Sequence, residues 1–162
     1  MQTKRSFGAG LIAAALTLPA TGTLAQTARD LVGHWTLVSS FAQQGGNRVD
    51  TYGPNPSGRL TFDAQGRYAL IYVTQIPNFV SNNRATGTAE ENRAVVQGSV
   101  AHYGSYSVDE ASKMLVLRIE TSTFPNWNGT EQRRPFTISG NELTYTSPGP
   151  LGPTTITLRR AQ

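Results

Sequence analysis

The side chains of this sequence able to do chemistry are two histidines, an Arg–Glu pair on one strand face and a set of aromatics. His102 shares a strand face with Gly104 and Tyr106 by the two-residue period of extended chain. Turned inward, its imidazole can serve as a general base near neutral pH; the alternative is a packing or hydrogen-bonding role. His34 stands between Gly33 and Trp35, so an inward Trp35 turns His34 out to solvent. Arg118 and Glu120 share a face with Met114 and Val116, opposite Leu115, Leu117 and Ile119. Facing inward they need partners, in each other, in His102 or in a ligand carboxylate, because an unpaired buried charge is expensive. Facing outward they form an ordinary exposed pair worth little. His102, Arg118 and Glu120 are therefore the candidate catalytic groups.

The aromatics are candidates for binding. Phe124-Pro125-Asn126-Trp127-Asn128-Gly129-Thr130 sets two aromatics around a proline, as a cavity rim or as a loop pinned by its anchors. Tyr68, Tyr72, Tyr103 and Tyr106 are natural strand residues that can also line a pocket and offer phenol donors to a small apolar ligand. There is no G-x-S-x-G elbow, no H-E-x-x-H, no P-loop and no dinucleotide fingerprint. With no cysteine, two histidines and scattered carboxylates, the chain shows no metal-ligand spacing, and no cofactor is expected.

These residues need elements to hold them, and β-rich runs separated by turn signals supply those. Strands are predicted over 31–41, 58–63, 67–73, 103–109, 114–122, 133–139, 142–146 and 154–160, a count of eight. Asp63-Ala64-Gln65-Gly66 makes a hairpin of the second and third. Gln43 to Asn47 reads as loop, as does Pro77 to Thr86. The one helical segment is about 88–98, where Thr88 and Glu91 form a capping box. Eight antiparallel strands suffice to close a barrel around side chains or one small ligand.

Several segments, in order along the chain, resemble the lipocalin-like domain family of bacterial and fungal proteins. They are Leu31 to Ser39, Tyr52 to Gly58, Asp63 to Tyr68, Tyr103 to Asp109 and Phe124 to Thr130. The resemblance implies an all-β, calycin-type barrel. Gly33-x-Trp35 is similar to the G-x-W that opens such barrels, whose Trp plugs the closed end against an Arg of the last strand. Parity with Ile156 and Leu158 nominates Arg160 over Arg159 for that contact. Gly33, Trp35 and Arg160 are thus expected to mark a structural end, leaving any functional mouth at the opposite rim.

The first 25 residues have the form of a secretory leader. Lys4 and Arg5 precede an apolar stretch from Phe7 to Leu18, Pro19 breaks it, and Thr23-Leu24-Ala25 offers a cleavage point after Ala25. The mature chain is then one domain over 26–162, periplasmic or secreted, with no stable membrane insertion. Losing Lys4 and Arg5 takes the net charge from +4 to +2. The remaining basic residues form no stripe, which argues against nucleic acid. The expected function is an exported protein holding a small, mostly apolar or amphipathic molecule in a barrel cavity. The alternatives are a cofactor-free isomerase, cyclase or hydrolase using the same cavity, and an accessory protein with a packed barrel.

Overall fold

Polar and apolar residues alternate through most of the β-rich runs, so each run can bury one face and wet the other once it pairs with neighbours. A computed structural model describes residues 26–162 and realises this pattern; the predicted leader, 1–25, lies outside the described residues. The order is α1 (Ala28–Leu31), β1 (Gly33–Gln44), β2 (Asn47–Asp50), β3 (Ser57–Phe62), β4 (Arg67–Val73), α2 (Ala89–Gly98), β5 (Ser99–Asp109), β6 (Met114–Ser122), β7 (Glu131–Ser139), β8 (Glu142–Ser147) and β9 (Thr154–Arg160). From β3 onward each strand pairs antiparallel with the next, and β1 pairs with both β3 and β9. The result is a closed eight-stranded barrel, with β2 as an extra strand.

The extra strand differs from the expected loop over Gln43 to Asn47. Gly45 and Gly46 take φ of 57° and 84°, which lets two residues turn the chain, so Gln44 pairs directly with Asn47. Polarity there reflects exposure on both faces, not absence of pairing. The predicted capping box does form at α2: Thr88 Oγ1 accepts from the Glu91 amide (3.2 Å) and Glu91 Oε2 from the Thr88 amide (2.7 Å). The other carboxylate oxygen of Glu91 accepts from the Val80 amide at 2.7 Å, tying the connection ahead of α2 to the helix.

Between β5 and β6 the register slips by one residue. Gly104 faces Ile119 and Tyr103 faces Thr121, leaving Glu120 as a bulge. A Cβ at position 104 would collide with the Arg118 carbonyl oxygen, so the approach of the two backbones requires glycine. Beyond the bulge the alternation of β6 is reset, and Ser122 is buried although it lies three residues from inward Ile119.

The core fills one end of the barrel. Trp35 is fully buried and donates its indole N–H to the Leu31 carbonyl at 2.8 Å. The Arg160 guanidinium lies 4.1 Å from the Trp35 ring centroid and donates to the Val32 and Asp30 carbonyls at 2.8 and 2.7 Å. Tyr106 packs edge-on to Phe62 at 4.6 Å and donates to the Asp63 carbonyl at 2.8 Å. Phe62 pairs with Tyr68 across β3 and β4, next to the tight turn that joins them. This end is shut.

Candidate functional site

Towards the opposite rim the inward side chains stop filling the barrel and leave a cavity of about 510 Å³. Strand parity decides its walls. Leu70 and Tyr72 come from β4, Val100 and His102 from β5, Arg134 from β7, Tyr145 and Ser147 from β8, and Thr154 and Ile156 from β9. Val96 and Gln97 of α2 join them, as do Tyr52, Phe124, Trp127 and the Pro148-Gly149-Pro150 turn from the connections. The lining is dominated by aromatic and aliphatic groups and includes no carboxylate.

Polar groups in it are few and specific. The Tyr72 and Tyr145 hydroxyls meet at 2.7 Å, and both phenol pKa values are pushed up, chiefly by burial. The Tyr52 phenol is raised to about 12 for the same leading reason. All three stay neutral and can donate at any physiological pH. His102 Nδ1 hydrogen-bonds the Tyr68 hydroxyl at 2.9 Å. Burial, and after it the charge of Arg134, lowers the imidazole pKa to about 3. His102 is therefore a neutral, weakly basic imidazole hydrogen-bonded within the wall, which fits the packing or hydrogen-bonding role of the two that its sequence position left open.

Arg134 is the one charged residue in the lining. It is 2% exposed. Its Nη2 donates to Gln132 Oε1 at 2.7 Å, and its carbon centre lies 5.1 Å from the Tyr145 ring centroid. Its Nε is buried with no hydrogen-bond partner. The four ion pairs among the described residues all lie elsewhere.

The structure assembles only part of the set expected from sequence. Tyr72, His102, Phe124 and Trp127 line the cavity. Trp127 stacks edge-on to His102 at 5.8 Å and to Phe124 at 5.4 Å, so the loop carrying it is anchored over the mouth. Tyr68 is buried behind His102 as its hydrogen-bond partner. Tyr106 is inside the barrel but at the shut end. Tyr103 is 50% exposed, because it neighbours inward His102 and must face out. Arg118 and Glu120 also face out, opposite in parity to inward Leu117 and Ile119. Arg118 pairs on the outer surface with Glu131 at 3.0 Å. A catalytic trio of His102, Arg118 and Glu120 is thus not assembled. His34 is exposed, with Thr61 as its partner.

Among the lining residues that sequence reasoning missed, Arg134, Tyr145 and Tyr52 bear the polar groups that matter most. Arg134 shares parity with buried Phe136, and Tyr145 with buried Leu143, so both carried a signal. Tyr52 lies in a connection, where no period applies. Among the described residues no group of three or more His, Asp or Glu is placed to hold a metal ion.

Comparisons with known proteins address the fold. No match was found among the curated proteins. Of solved structures, a redesigned β-barrel shares 13% identity at a TM-score of 0.45, covering 87% of this chain and 100% of its own. A mutant of the fluorescent protein UnaG shares 15% identity at a TM-score of 0.38, covering 82% of this chain and 97% of its own. The family model described as "Lipocalin-like domain" matches residues 32–156, nearly all of the barrel. The chain belongs to the lipocalin-like domain family.

Proposed function

We propose that the mature chain is an exported binding protein that holds one small, mostly apolar molecule in the open half of its barrel. The observation that carries this reading is the 510 Å³ cavity at the end opposite the Trp35–Arg160 plug. Its volume falls in the usual range for small-molecule sites, about 300–1,000 Å³, and its mix of apolar wall with few convergent polar groups is the usual chemistry of such sites. A barrel filled by its own side chains would leave no such space. The leader-like segment over 1–25 supports a periplasmic or secreted location.

The test is binding of Nile red, a neutral apolar dye, followed by its emission. The wild type should bind it with a blue shift. Leu70→Trp, which fills the cavity, should abolish binding, whereas Ile71→Trp on the outer face should not. Loss in neither variant, or no binding by the wild type, would sink the reading. Native mass spectrometry of protein taken from its own export compartment should show a co-purified small molecule. For export itself, Ala25→Trp should block processing; mature protein still starting at Gln26 would refute cleavage there.

A further inference from the structure

We propose that the occupant of this cavity is an amphipathic monoanion, a carboxylate on an apolar body, and that Arg134 is its counter-ion. The inference rests on the binding reading above and adds the chemical class of the ligand. Arg134 has five N–H donors in a rigid fork. One is spent on Gln132, which fixes the guanidinium plane, while the buried Nε donates to nothing. None of the four ion pairs among the described residues supplies it with a carboxylate, and no acidic side chain lines the cavity. A cation this buried and this poorly matched is costly to the folded chain. The Tyr145 ring face nearby and the Tyr145 hydroxyl, which also interacts with the guanidinium, offset only part of that cost.

What the site lacks is a planar oxyanion. A carboxylate matches the guanidinium fork bidentately. The tyrosine pair adds a further donor, since only one proton lies between the Tyr72 and Tyr145 oxygens and the other hydroxyl proton is free to give. The remaining wall, from Leu70, Val100 and Ile156 to the Phe124 and Trp127 rim, suits a hydrocarbon body. With one cation and no other charge in the lining, a single negative charge is the match.

The test is competition of decanoate and of decanol against bound Nile red at pH 8 and low salt. The two share a chain and differ in the head. Decanoate should displace the dye at a concentration at least about tenfold lower than decanol, the worth of one charge-assisted hydrogen bond. Arg134→Met should erase that ratio while keeping Nile red, and Arg134→Lys should keep part of it. Without ligand, Arg134→Met should also raise Tm, whereas an arginine needed for the barrel itself would lower it. Equal displacement by both heads in the wild type overturns the proposal, as does failure of decanoate to compete while Nile red binds; either outcome leaves the binding reading intact. Failure to bind Nile red at all overturns both. Should Arg134→Met not fold, the wild-type ratio alone decides.

Discussion

The two ends of the barrel each set an arginine beside an aromatic ring, and they treat it in opposite ways. Arg160 stacks at 4.1 Å on Trp35 and spends its donors on two backbone carbonyls. Arg134 sits 5.1 Å from Tyr145, is held by one amide oxygen and keeps a buried donor unmet. The polar atoms around Trp35 are satisfied by the chain itself, so that end is complete as folded. The residues around Arg134 leave space and hydrogen-bonding capacity together. Matched groups mark the structural end; the unmatched group lies at the end proposed above to hold the ligand.

Mutations should separate these roles, and the largest effect belongs to the shut end. Trp35→Ala should lower unfolding free energy by about 3–5 kcal/mol in urea titrations, from lost burial and a cavity that cannot collapse. A change near zero would remove the plug from the core. Next come the two arginines. Arg160→Met should cost roughly 2–4 kcal/mol, from the lost stack and carbonyls left without donors. Arg134→Met should add about 1–3 kcal/mol, because it relieves an unmet buried donor and charge. Equal signs for the two substitutions would break the contrast.

His102 gives a pH-dependent version of the same test. Its folded pKa, about 3, lies below the ordinary 6.5, so the unfolded chain binds the proton first on acidification. The stability of the neutral imidazole is full above pH 6.5 and falls as pH drops towards 3. Between pH 6 and 4 the wild type should lose roughly 2 kcal/mol more than His102→Gln, each unit being worth up to about 1.4 kcal/mol. Parallel curves would mean that His102 is solvated. The smallest effect is on the outer wall. Arg118→Ala breaks an exposed pair with Glu131 and should change stability by less than about 1 kcal/mol and dye binding not at all.

How much of this was legible beforehand varies with the kind of signal. Trp35 and Arg160 could be assigned because each shares parity with a nearby inward leucine, Leu37 just ahead of an irregularity in β1 and Leu158 in the regular run of β9. The same rule decides between His102 and Tyr103, which adjoin and cannot both face in, but it left Arg118 and Glu120 open, since Val116 of their parity is as apolar and as buried as Leu117 of the other. Arg134 was harder: Arg133-Arg134 offers two identical side chains, and only the parity of Phe136 one turn of the pleat later separates them. Tyr52 and the Pro148–Pro150 turn carried no local signal at all. Their place at the mouth follows from which strands the barrel brings side by side, a property of closure and not of any segment.

The slipped register opposite Gly104 bears on how the mouth is held in shape. Once Glu120 is pushed out, the end of β6 delivers Ser122 inward, and its amide donates to Asn128 Oδ1 at 2.7 Å. The Thr123 amide meets the Ala101 carbonyl at 2.8 Å, and the Gly129 amide returns to Ile119, also at 2.8 Å. Phe124 and Trp127 are thus mounted on a collar stitched at both ends to the barrel wall. Such a collar has its aperture before any guest arrives, so little ordering cost falls due on entry. Selection by girth would then be a property of the empty protein, and deleting Glu120 would be felt as a change in what fits through.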